Sequence, residues 1–177
     1  MARPLSVVLV TLLLVGCAHR EEGPPAARAT KPARHSTPDE RQRFLTLVHQ
    51  VQASPPRGYD PDVEWAIGWL VEVDDVSVTI CADVLGSVMK EGEKPGFNPA
   101  IIGLLSAGAF VMEHPELATN EGEVNFAALT ALLDVYAAER KRDGPASAPY
   151  DELLARARAG TLRAQVIDQV RRCKDKK

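Results

Sequence analysis

The chain has 177 residues, 45% of them hydrophobic and 25% charged, with a formal net charge of −3. That near-neutral balance excludes the strongly basic footprint by which proteins hold nucleic acid. The length suits one domain with a proper core, and the composition is ordinary for a globular protein, although aromatics are only 5%.

The first element is an apolar run from Leu5 to Val15. It is too short to cross a bilayer, which takes about 20 apolar residues. Arg3 and the free amine put positive charge ahead of it, and small residues close it, the pattern of an export signal. The run ends Leu14-Val15-Gly16-Cys17. These four residues resemble the lipobox of bacterial lipoproteins: an aliphatic residue, a small or aliphatic one, Gly or Ala, then Cys. The resemblance implies a signal peptide over residues 1–16, diacylglycerol on the Cys17 thiol, and cleavage before Cys17 by signal peptidase II. Two or three acyl chains would then anchor the protein stably, where one would not. Residue 18 is Ala and not Asp, which in that family leans toward the outer membrane and away from the inner one. The competing readings are an ordinary secretory signal with an incidental Cys17, or a buried first helix.

Residues 17–36 follow as a Pro- and Ala-rich tether. Pro24, Pro25 and Pro32 lie in it, with no aliphatic or aromatic core former. Such a segment cannot bury enough apolar area to offset the entropy of ordering it. It reads as flexible chain, partly extended polyproline II.

Residues 37–177 read as an all-α, single compact domain of about six or seven helices. Thr37-Pro38-Asp39-Glu40 has the form of a capping box with proline at the first helical position. Phe44, Val48 and Val51 then share one helical face. Asp60-Pro61 repeats the signal before a second helix carrying Trp65 and Trp69 one turn apart, a spacing that favours core over a ligand platform. The stretch from Val71 to Ile80 has two periods. Val73, Val76, Ile80, Val84 and Val88 make a helical stripe, whereas Val76, Val78 and Ile80 alternate as a strand of a short hairpin would. The longer stripe favours helix. Asn98-Pro99 caps a helix apolar nearly all round, the mark of a central buried element. Phe126, Leu129, Leu133 and Tyr136 line one side of the next helix. Its last turn is basic and Gly144 follows, both stop signals. A final helix pair hinges at Gly160, with Thr161 as cap.

Charge is uneven along the chain. Residues 60–123 hold 13 acidic side chains against Lys90 and Lys94, and residues 124–177 hold 11 basic against 7 acidic. Either these are solvated helix faces, or an acidic surface meets the basic tail within one molecule or between two.

With Cys17 assigned to lipid, Cys81 and Cys173 remain, an even pair in a compartment that permits disulfides. They are either bridged or independent thiols. Neither has a second Cys or His at ligand spacing, so no metal site is expected, and no cofactor.

Chemistry is sparse. Ser87-Val88-Met89-Lys90 resembles the S-x-x-K nucleophile motif of penicillin-binding proteins and class A β-lactamases, but the companion S-D-N and K-T-G elements do not occur. Glu113-His114-Pro115-Glu116 groups an imidazole with two carboxylates, yet Pro115 prevents helical alignment of a ligand pair. No catalytic residue is assigned. The favoured function is a non-enzymatic one: a lipid-anchored helical domain, facing the periplasm, that binds an envelope protein or assists envelope assembly. The alternative is a cell-envelope hydrolase with an unrecognised site. A pocket joining His114 to Glu72, Asp74, Asp75 or Ser87 would favour the hydrolase.

Overall fold

The computed structural model describes residues 34–91 and 96–176. The expected signal peptide, Cys17 and the expected tether up to residue 33 lie outside the described residues. The helices are α1 (Pro38–Ala53), α2 (Pro61–Glu72), α3 (Ala82–Met89), α4 (Pro99–Glu113), α5 (Glu121–Lys141), α6 (Ala148–Arg158) and α7 (Leu162–Asp175), with a 3-10 turn at Pro115–Leu117. No β-strand is present among the described residues. The all-α reading is therefore correct, with seven α-helices among the described residues.

Three helices start as their sequences require. The Thr37 hydroxyl accepts from the Glu40 N–H while the Glu40 carboxylate accepts from the Thr37 N–H. Asp60 accepts from Asp62 and Val63, and Asn98 from Ala100 and Ile101. Each is followed by a proline, whose fixed φ suits the first turn and whose missing N–H would have had no helical partner. Thr161 does not cap α7 with its side chain; its hydroxyl donates instead to the Arg156 carbonyl.

The core forms around α4, which buries Ile102, Gly103, Leu105, Ala107, Gly108, Ala109 and Val111. Its small residues let neighbours approach. A Cβ built on Gly108 would stand 3.0 Å from the Phe44 ring and 3.1 Å from Leu70. On the other flank α5 contributes Leu129, Leu132, Leu133 and Tyr136, all buried. The Tyr136 ring stacks on Tyr150 of α6 at 4.5 Å, and Tyr150 meets Phe97 edge-on at 6.1 Å. Trp69 is core, against Phe44 at 4.8 Å. Trp65 is half-buried under the Arg43 guanidinium, 3.8 Å above its ring.

Two expectations need correction. The helix expected through Val73–Ile80 does not form: α2 stops at Glu72 and α3 starts at Ala82. The connector is irregular, with an alternating pattern of burial: Val76 buried, Val78 and Ile80 half-buried, and Ser77 and Thr79 exposed. It is not a hairpin either. Its partner is a side chain: Asn125 of α5 accepts from the Cys81 N–H at 2.8 Å and donates to the Thr79 carbonyl at 2.9 Å. The β-branched residues favour extension, and one buried amide satisfies backbone groups that a neighbouring strand would otherwise have served.

The second correction concerns residues 34–36, expected in the tether. They are clamped to the domain by polar contacts. Val73 and Arg34 form an isolated parallel bridge, with the Asp74 N–H donating to the Arg34 carbonyl at 3.1 Å. The Ser36 N–H and hydroxyl donate to Asp75 at 3.0 and 2.8 Å, and Arg41 reaches the same carboxylate at 2.7 Å. Arg34 is bidentate on Glu40 at 2.9 and 2.8 Å. A search for apolar core formers misses such a strap because it is held by charge.

The uneven charge resolves partly within the molecule. Basic residues of the tail meet acidic ones: Arg163 with Glu123, Lys174 with Glu121 at 3.4 Å, and Lys176 with Asp83 at 2.7 Å.

Candidate functional site: an apolar groove and a cysteine pair

The α1–α2 loop, Ser54-Pro55-Pro56-Arg57-Gly58-Tyr59, cannot be helical because of its prolines, and it runs over the surface. Beside it lies the start of α4. Between them is a cavity of about 240 Å³ lined by Pro55, Pro56, Arg57, Val63, Phe97 and Ile102. A shallower one of about 490 Å³ adjoins it along α2, over Tyr59, Val63, Glu64, Ile67 and Ile101. Gly58, Val63 and Ile101 line both, so the two make one groove with an apolar floor.

The polar groups around this groove already hold structure together. Arg57 pairs at 3.2 Å with Glu139, a carboxylate only 4% exposed at the end of α5. Arg142 supplies the second cation at 2.8 Å and also donates to the Ala53 carbonyl at 3.0 Å. A buried carboxylate needs such partners, and these fix the loop to α5. Asp60 and Asn98 are occupied by helix capping, and Glu64 accepts from the Tyr59 hydroxyl. Tyr59 is nevertheless 81% exposed, the largest aromatic surface among the described residues. An apolar strip with a projecting tyrosine is the composition of a contact surface.

Cys81 and Cys173 are joined by a disulfide, with Cα atoms 6.1 Å apart. Cys81 is buried at the N-terminal end of α3, and Cys173 is half-buried on the last turns of α7. The bridge therefore ties the end of the chain to the connector that Asn125 holds.

The residues with conceivable chemistry are dispersed. His114 sits exposed just past α4, its Nδ1 3.6 Å from Glu116 and its ring on Phe110 at 4.7 Å. Glu113 meets His49 at 3.2 Å. Asp75 serves the strap, and Asp74 lies 3.0 Å from the exposed His35. Ser87 and Lys90 are exposed on and just after α3. None of these lines the groove. Two clusters hold potential metal-ligand atoms within 4.8 Å of one another, His35/Asp74/Asp75 and Cys81/Asp83/Cys173. In the first, Arg41 and Ser36 already engage Asp75. In the second, the disulfide consumes both sulfurs.

No family model matches the chain, and no curated protein or solved structure shows significant similarity to it. Function must therefore be argued from the groove and the sequence signals alone.

The sequence did not reveal the groove, since its walls come from residues 55–68 and 96–102 and only packing joins them. The one available signal was Tyr59, an aromatic among Pro, Gly and Asp.

Proposed function

We propose that the protein is a bacterial lipoprotein, acylated at Cys17 and tethered to a membrane of the cell envelope, the outer membrane before the inner. Its helical domain faces the periplasm and binds another envelope protein, without catalysis, through the groove between the α1–α2 loop and α4. The observation that carries the binding role is the groove itself: its lining is largely aliphatic and aromatic, its charged groups are engaged in fold-holding pairs, and the Tyr59 ring, its hydroxyl held by Glu64, is exposed beside it. Interfaces concentrate their energy in such aromatic anchors. The occupant is a protein segment presenting apolar side chains to Val63, Ile67 and Ile101. No observed arrangement favours the hydrolase reading, because the imidazole and carboxylates it would use face other surfaces.

The anchor and the groove are tested separately. Cys17→Ser should abolish metabolic palmitate labelling and release the protein from the membrane fraction or leave it unprocessed; persistent labelling refutes the acyl site. For the groove, a photo-crosslinking residue is placed at position 59 or 67 and, as control, at exposed Asp168 of α7. Adducts in intact cells from 59 and 67 but not 168 support the groove. Adducts from 168 alone, or equally from all three, refute it.

A further inference from the structure

The Cys81–Cys173 pair has a third neighbour. Asp83, in the first turn of α3, brings a carboxylate oxygen within 4.8 Å of both sulfurs. Its present partner is Lys176, which donates to it at 2.7 Å. Cys81 is buried, Cys173 half-buried and Asp83 exposed, so the cluster opens to solvent on one side.

Each cysteine is also held by contacts other than the bond between them. Cys81 is fixed through its N–H by Asn125 at 2.8 Å. Cys173 rides on α7, which buries Leu162, Val166 and Val170 beneath it. The Gln169 carbonyl of the same helix lies 3.7 Å from the Cys81 sulfur. Opening the disulfide thus leaves two thiols and a carboxylate facing one another from two packed helices.

Two thiolates and a carboxylate carry three negative charges, partly offset by Lys176. That donor set suits a divalent, thiophilic cation of the zinc type, at about 2.3 Å from sulfur and about 2.1 Å from oxygen. While the disulfide is closed there is no such site. We propose that reduction of Cys81–Cys173 opens a zinc-type metal site formed by both thiolates and Asp83, with water completing the tetrahedron. A dithiol reductant supplies two electrons and two protons to the S–S bond and is itself oxidised to a disulfide. The metal then displaces both thiol protons to solvent. Asp83 exchanges Lys176 for the cation, and the metal takes over the cross-link between α3 and α7. This inference extends beyond the groove and does not depend on the lipid anchor.

The test uses the full chain carrying Cys17→Ser, which removes the third thiol. It is reduced with a phosphine, freed of reductant without air, and titrated with Cd²⁺ and then Zn²⁺. One equivalent of cadmium should give a thiolate charge-transfer band, absent from the oxidised chain. One equivalent of zinc should restore several degrees of the melting temperature lost on reduction. Asp83→Asn should weaken binding by roughly tenfold or more. Lys176→Ala keeps every ligand and removes their competitor, so it should bind more tightly. Both substitutions are at exposed side chains and leave the fold intact, which circular dichroism checks. A reduced, helical chain with two free thiols and no cadmium band overturns the site. Equal affinity in the parent and Asp83→Asn overturns it as drawn, because Asp83 would then not be a ligand.

Discussion

Asn125 stands in for a missing strand, and removing it should cost more than its small size suggests. Its side chain accepts from the Cys81 N–H at 2.8 Å and donates to the carbonyls of Thr79 at 2.9 Å and Glu121 at 2.8 Å. The residue is 1% exposed. In Asn125→Ala the Glu121 carbonyl keeps its place in α5, but the Cys81 N–H and Thr79 carbonyl lose their partners. An orphaned buried group costs about 1–3 kcal/mol; the Cys81 N–H bears that cost in full, and the part-buried Thr79 carbonyl, which water can reach, bears less, so about 3 kcal/mol is expected as an upper figure. With an unfolding entropy of roughly 300 cal/mol/K for a domain of about 140 residues, that is about 10 °C in melting temperature. Far-ultraviolet circular dichroism melts of the oxidised chain measure it, and hydrogen exchange at the Cys81 amide locates it. Asn125→Asp sharpens the test. It keeps the acceptor but turns a negative oxygen toward two carbonyls, with no cation among the contacts of Asn125. Its pKa in the folded state must rise above the unfolded value. Relative to the parent, the variant is then least destabilised below about pH 4 and loses further stability as pH rises through the raised pKa. Asn125→Ala within about 0.5 kcal/mol of the parent would refute the reasoning, as would an Asn125→Asp variant whose stability tracks the parent at every pH.

Three further outcomes follow from the packing. The oxidised domain should show no free thiol at positions 81 and 173; the bridge spans a sequence separation of 92, for which chain entropy credits about 4–5 kcal/mol as an upper figure. Reduction, or Cys173→Ser with or without reductant, should lower the melting temperature by roughly 7–15 °C while leaving helix content intact; two titratable thiols in the oxidised fold would sink this. Gly108→Ala should destabilise, because its Cβ meets the Phe44 ring at 3.0 Å, whereas Gly86→Ala in α3 meets nothing within 4 Å and should stabilise by about 0.5–1 kcal/mol; chemical denaturation of the pair decides. The strap should be acid-labile. The Arg34 side chain and the Thr37 N–H lower the Glu40 pKa from 4.5 to about 2. At Asp75, partial burial opposes ionisation, but Arg41 and the Ser36 N–H and hydroxyl outweigh it and hold the carboxyl well below its usual range. Both contribute fully above pH 4.5 and less as pH falls toward about 2, so the Glu40→Gln/Asp75→Asn double variant should lose less stability than the parent between those pH values; parallel acid titration curves would contradict this.

The sequence alone determined what is local. Thr37, Asp60 and Asn98 each precede a proline and cap the helix that follows, because a cap needs only its own next three residues. The apolar face of α1 and the all-round apolarity of α4 foretold their burial. The Cys81–Cys173 pair could be named but not measured, since its Cα distance depends on how α7 docks. What needed the tertiary structure was everything carried by partners distant in sequence. The stretch from Val73 to Ile80 carried both a helical and an alternating pattern, and the longer helical stripe pointed the wrong way; Asn125, 46 residues beyond Thr79, holds it out of helix. Residues 34–36 have nothing apolar to bury and were assigned to the tether, yet Asp75, 39 residues beyond Ser36, holds them by charge. The groove is likewise the space left between a loop and a helix start that only the packed core brings together. Capping and amphipathic periodicity are short-range properties, readable in one dimension. A buried amide satisfying a remote backbone, a carboxylate clamping a strap and a cleft between elements are not, because their energies exist only once the chain has folded.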